Sequence, residues 1–272
     1  MGARPRPIAV FDSGVGGLTV LRALVSLLPR EHFIYVGDTA RVPYGSKSPE
    51  SVKRFSIEVA RFFRRKNVKM MVTACNTVSA LALPELRAFM PVPVLGVIEP
   101  GARAALAATR TGRVGIIGTE ATVQSRAYEH AVQRLDGTIR VFSRACPLFV
   151  PLVEEGWLDH PVTRRVASLY LAPLLRKKID TLVLGCTHYP LIKGVLRRVA
   201  KTVELIDSAE ETAKAVRSRL DQDGLLVSRG PRGRVDYFSS DDPVKFSRLG
   251  HRFLGWNLPN VARIRLEGVD GV

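Results

Sequence analysis

The chain has 272 residues, enough to bury a substantial core in one or two domains. Hydrophobic residues make up 46% and charged residues 24%, which excludes a disordered chain, and no apolar run approaches the roughly 20 residues that span a bilayer. The net charge of +16 leaves a nucleic-acid or other anionic partner open, but the cations are scattered and no zinc finger, RNA-binding signature or aromatic-interleaved basic stripe accompanies them.

The basic N-terminal stretch leads straight into a strand and lacks a signal-peptide pattern, so a cytoplasmic protein is expected. Three widely placed cysteines are too few for a disulfide framework or a Cys-x-x-Cys site, so free thiols and no metal are expected.

Residues 8–11 form the first predicted strand and deliver DSGVGG at 12–17. The glycines match neither the dinucleotide fingerprint nor a Walker loop. Asp12 and Ser13 fall at the strand's end, where a carboxylate can hold an ammonium group or neighbour a thiol; an Asp that merely caps a helix is the alternative. A helix with Leu18, Leu21, Leu24 and Leu28 follows, stopped by Pro29. Residues 33–36 make a second strand, and the loop after it sets Tyr44 beside Gly45, where a ligand can meet backbone N–H groups. Ser48 opens an amphipathic helix to about residue 66.

The next strand, KMMVTACNTV at 69–78, ends on Cys75, followed by polar residues able to cap a helix. Pro84 divides the helical region beyond it. Residues 92–98 are read as a strand, and Glu99, Pro100 and Gly101 as a turn into a second half. There the pattern restarts with a strand at 113–117, a loop at 118–125 and a helix to Arg134. Residues 146–156 are largely apolar and end in two acids; an exposed Glu at a helix terminus is the expected reading, and a carboxyl with a raised pKa serving proton transfer is the alternative. Cys146 lacks the strand-to-helix context of the other two and is read as structural.

A helix over 161–178 leads to DTLVLGCTHYP at 180–190. Its continuous apolar run predicts a strand buried on both faces, with Cys186 at its end and Pro190 opening a helix whose N-terminus favours a thiolate. A strand at 203–206, a helix opened by a capping box at Ser208, a mobile loop at 224–233, and strands at 235–239 and 261–266 around a helix opened by Pro243 complete the chain.

The two cysteine strands are 186 − 75 = 111 residues apart, and the strands beginning at Ile8 and Val114 are 114 − 8 = 106 apart. Like units in the same order predict an α/β protein of two related parallel-sheet domains, flavodoxin-like or Rossmann-like, in a pseudo-two-fold arrangement with the active site between them. The expected division is 1–98 with 210–272 against 99–209. Two equivalent thiols across one cleft suit inversion of a stereocentre, in which one removes a proton from carbon while the other supplies a proton from the opposite face. The roles exchange when the reaction reverses.

The motifs VFDSGVGGL (10–18), YVGDT (35–39), VPYG (42–45), TACNT (73–77), GVIEPG (96–101), CPLFVP (146–151) and GCTHYP (185–190) resemble the aspartate/glutamate racemase family, and within it the glutamate racemases. The likeness covers about residues 8–217, with a weaker echo over 238–254; Val78 stands where alanine is more usual. It implies cofactor-independent interconversion of L- and D-glutamate, supplying D-glutamate for peptidoglycan, by a homodimer. It further implies Cys75 as the acid/base residue for D-glutamate, supported by Asp12, and Cys186 for L-glutamate, supported by Glu154 and His188. Asp12, Ser13, Tyr44, Gly45, Asn76, Thr77, Thr187 and His188 match substrate-binding positions, with Thr119 and Thr122 in addition. An aspartate racemase, or a basic nucleic-acid- or protein-binding regulator, are the competing readings.

Overall fold

Runs of apolar, β-branched residues become strands buried on both faces, and the amphipathic stretches between them become the helices that cover those faces. The computed structural model describes residues 6–266. Its strands are β1 (Ile8–Asp12), β2 (Phe33–Gly37), β3 (Met70–Thr73), β4 (Val94–Gly96), β5 (Arg113–Gly118), β6 (Arg140–Ala145), β7 (Thr181–Gly185), β8 (Glu204–Asp207), β9 (Val235–Ser239) and β10 (Ala262–Arg263). They form two sheets, in the orders β10-β9-β2-β1-β3-β4 and β6-β5-β7-β8, with every pairing parallel. The order β2-β1-β3-β4 thus reappears as β6-β5-β7-β8, and Cys75 and Cys186 follow the equivalent strands β3 and β7.

The helices are α1 (Leu18–Leu27), α2 (Pro49–Arg65), α3 (Asn76–Leu81), α4 (Leu83–Phe89), α5 (Ile98–Ala108), α6 (Glu120–Gln124), α7 (Ala127–Leu135), α8 (Phe149–Glu154), α9 (Pro161–Arg176), α10 (Lys193–Val199), α11 (Ser208–Gln222) and α12 (Pro243–Leu254). None of the described helices is long and apolar enough to cross a membrane. The largest apolar cluster runs from Ile8 and Val10 through Leu21 and Leu24 of α1 and Val216 of α11 to Leu182 and Leu184 of β7, so the two sheets share it. Thr19 on α1 adds a polar tie, its hydroxyl donating to the Thr187 carbonyl at 3.1 Å.

Several expectations change. The strand read at 92–98 is only Val94–Gly96, and Glu99, Pro100 and Gly101 lie in the first turn of α5. A proline is accommodated there because first-turn N–H groups have no helical partner. The loop at 118–125 contains α6, whose Thr119 cap accepts from the Thr122 N–H at 3.3 Å. Strand β6 went unpredicted because it is a half-exposed edge strand without a continuous apolar run. Asp207 rather than Ser208 caps α11, accepting from the Ala209 N–H at 2.9 Å. Of residues 261–266, only Ala262–Arg263 pair. The irregular segment at 224–233 is pinned: buried Lys69 bonds Glu31 at 2.6 Å and the Leu225 carbonyl at 2.7 Å, while Glu31 accepts from the Val227 N–H at 2.9 Å.

Candidate active site

Parallel pairing brings the carboxyl ends of β1, β3, β5 and β7 into register within their sheets: Phe11 pairs with Thr73, and Gly118 with Gly185. Ligands of open α/β sheets bind at such ends, where each loop turns into the next helix. Here the loops of both sheets converge. The hydroxyl of Thr77, at the start of α3, lies 3.0 Å from that of Thr119 and 3.4 Å from that of Thr122, both from the other half. Gly45 abuts Thr119 so closely that an added Cβ would stand 2.7 Å from the threonine Cβ. Gly16 is likewise pressed on Thr187 and His188.

On the first side, the Cys75 thiol contacts the Ser13 hydroxyl at 3.5 Å. Asp12 is buried; its Oδ2 accepts from the Gly14 N–H at 2.9 Å, while its Oδ1 has no hydrogen-bond partner among the described residues. Burial lifts the Asp12 carboxyl above its usual value against the opposing pull of the His188 cation. Burial, reinforced by the Asp12 charge, pushes the Cys75 thiol up to about 12, with Ser13 pulling the other way. The short α3 that follows, of six residues, does not offset this, and desolvation dominates. Asn76 presents a complementary group. Its Oδ1 accepts from the Tyr128 hydroxyl at 2.7 Å, leaving a buried Nδ2 without a partner among the described residues.

On the second side, Cys186 lies 3.9 Å from Nδ1 of His188, whose Nε2 is 3.0 Å from Oε1 of Glu154. Burial opposes charging of His188, but the contacts with Cys186 and Glu154 outweigh it and raise the imidazole to about 10. Glu154, the last residue of α8 and partly exposed, is not the raised acid held as the alternative: burial would lift its carboxyl, yet the bonded His188 and nearby Lys245 bring it below its usual value. The two cysteines therefore stand in unlike settings, one beside a carboxyl and one beside a cation.

Asp12, Ser13, Cys75, Asn76 and Thr77 from one half thus meet Thr119, Thr122, Glu154, Cys186, Thr187 and His188 from the other. Tyr44 contributes differently. Its side chain is buried against Phe11 and Phe55 and its hydroxyl is taken by Asp38, so only its backbone beside Gly45 is left for a ligand. Cys146 is fully buried in the core beside Phe149, as a structural residue should be. Tyr128, which orients Asn76, was missed; its inward face with Ala131 and Val132 at helical spacing was the available signal. An unpaired carboxylate oxygen and an unpaired amide donor, in a site that also holds two thiols, can pair with the ammonium and carboxylate groups of an amino acid.

Residues 8–216 match the family model described as Asp/Glu/Hydantoin racemase. The chain is 53% identical to the glutamate racemase of Geobacter metallireducens over 263 residues, covering 96% of this chain and 97% of that one. Among solved structures, the glutamate racemase of Thermus thermophilus in complex with β-chloro-D-alanine superposes with a TM-score of 0.87 at 50% identity, covering 96% of this chain and 97% of that one. The Francisella tularensis glutamate racemase in complex with D-glutamate gives 0.91 at 37% identity, covering 96% and 98%. With two cysteines following equivalent strands of a duplicated parallel fold, and likeness extending over nearly its whole length, the chain belongs to the Asp/Glu/hydantoin racemase family.

Proposed function

We propose that the protein interconverts L- and D-glutamate without a cofactor, in the cytoplasm and as a homodimer, supplying D-glutamate for peptidoglycan. The two sheets are taken as the cores of two domains, residues 1–98 with 210–272 and residues 99–209, the glutamate lying between them. The observation that carries the reading is the pairing of Cys75 and Cys186 after equivalent strands.

In the L-to-D direction Cys186, as thiolate, takes the α proton and becomes a thiol. Cys75, as thiol, gives its proton to the opposite face of the carbanion and becomes a thiolate. The starting states are supported by the two settings: Cys75 holds its proton, and the His188 cation complements a thiolate at Cys186. D-glutamate reverses the roles, with the Asp12 charge beside Cys75 supporting it. Asp12 binds the substrate ammonium, and Ser13, Asn76, Thr77 and Thr187, with the backbone at Tyr44 and Gly45, bind its carboxylates, joined by Thr119 and Thr122. Neutral donors suit this better than an arginine clamp, because they hold the dicarboxylate without fully neutralising it.

Incubating enantiopure L-glutamate with the protein in D2O, followed by NMR and circular dichroism, tests the reading. α-Deuterated D-glutamate is the expected product. Neither inversion nor α exchange in folded, reduced protein would overturn it, and faster turnover of aspartate would reassign the substrate.

A further inference from the structure

Helix α12 belongs to the first half through the β9–α12–β10 unit, yet its C-terminal turn reaches the acid pair beside Cys186. The Arg252 guanidinium donates to the Val153 carbonyl at 3.3 Å and makes a second, shorter bond to the Glu154 carbonyl. Both carbonyls lie at the C-terminus of α8. The Val153 oxygen already accepts from the Gly156 N–H at 3.0 Å, whereas Arg252 is the partner seen for the Glu154 oxygen. A cation at this position both satisfies end carbonyls and complements the negative end of the helix. The fit is close. Gly156 ends the helix at φ +83°, and a Cβ there would stand 2.9 Å from the guanidinium. The adjacent Phe253, fully buried, sets its ring edge-on to His188, with centroids 5.1 Å apart.

We infer that Arg252 is a positioning residue for proton transfer at Cys186: by fixing the end of α8 it sets the Glu154 carboxylate against His188, so that a helix of the first half completes the acid/base pair of the second. This inference rests on the function proposed above. Arg252 touches neither the thiol nor the imidazole; it acts through the backbone of Glu154. The charged and titratable groups facing the pair are Cys186, Asp12, Lys245 and Arg252, with Asp241 and Asp242 lining the same small cavity as Glu154 and Lys245.

The test uses Arg252→Gln, which keeps the stem and loses the charge, and Arg252→Lys, which keeps the charge. In wild type the His188 ring is expected to titrate near 10, followed by NMR of 15N-histidine-labelled protein. Arg252→Gln should lower that midpoint by about one unit or more and bring the alkaline limb of kcat/KM down with it. It should also reduce kcat/KM for glutamate about tenfold or more at neutral pH, with Arg252→Lys restoring most of both. An unshifted His188 midpoint in folded Arg252→Gln protein would overturn the inference, as would a uniform fall in rate without a change in the pH profile. The titration needs no turnover. If wild type fails to racemise glutamate while Arg252→Gln still shifts His188, the function is wrong and the positioning role stands. An unshifted midpoint in an active enzyme overturns the positioning role and leaves the function standing.

Discussion

The hydroxyls of Thr77 and Thr119 stand 3.0 Å apart, although one residue follows β3 and the other β5 of the neighbouring sheet. With Thr122 they make a triangle of hydroxyls that spans the two halves. Each hydroxyl can both donate and accept, so the triangle can turn donors toward an anionic group without carrying a charge of its own. Thr77→Val keeps the shape and removes one corner. A rise in KM for glutamate of about tenfold with little change in kcat is expected, the loss of roughly one hydrogen bond to a charged group. Unchanged KM would remove Thr77 from the binding site.

The cysteines are expected to separate by face. In D2O, Cys75→Ser should still exchange the α hydrogen of L-glutamate while failing to invert it, and Cys186→Ser should do the same with D-glutamate. NMR of the recovered amino acid reads both outcomes. Retention of full racemisation by either variant would refute two-base chemistry.

His188 makes stability depend on pH. Its folded-state value of about 10 lies above the ordinary 6.5, so the folded protein keeps this proton where the unfolded chain has released it. The contribution is fully present below about pH 6.5 and is lost as the pH rises through about 10. Urea midpoints across that window should fall more steeply for wild type than for His188→Asn. Parallel slopes would contradict the charged His188–Glu154 pair.

Gly16 carries a steric prediction. A Cβ there would lie 2.3 Å from the Thr187 hydroxyl and 2.5 Å from the His188 ring, neither of which can move without disturbing Cys186. Gly16→Ala is expected to lose about a hundredfold in kcat/KM, the cost of roughly an ångström's misplacement. Steady-state kinetics beside a melting curve distinguish this from unfolding.

Cys146→Ala supplies the contrast. Activity and pH profile should be unchanged, with stability lower by about 1 kcal/mol for a small deletion from the core. Loss of activity in folded protein would give this third thiol a role.

The duplicated order and the placement of both cysteines were legible because buried parallel strands announce themselves as continuous apolar runs, and such strands end where chemistry is done. Strand β6 was not, since an edge strand with exposed Arg140 and Arg144 carries no such run. The lowered carboxyl of Glu154 was also out of reach. The sequence sets it beside apolar residues, whereas its net shift comes from His188 and Lys245, which are distant in the chain. Arg252 was hidden for a related reason: one more cation in a basic chain is conspicuous only when the two carbonyls it serves are seen.

The late position of α12 has a consequence for biosynthesis. A ribosome releases β5 to β8 as one unbroken length, whereas the first sheet takes strands from both sides of that length. A nascent chain that has emerged as far as Ser239 holds both thiols and all three threonine hydroxyls, but neither Arg252 nor Phe253. A fragment stopped after Ser239 is expected to form its four-stranded sheet and remain inert, and racemisation by that fragment would show that the final helix is dispensable.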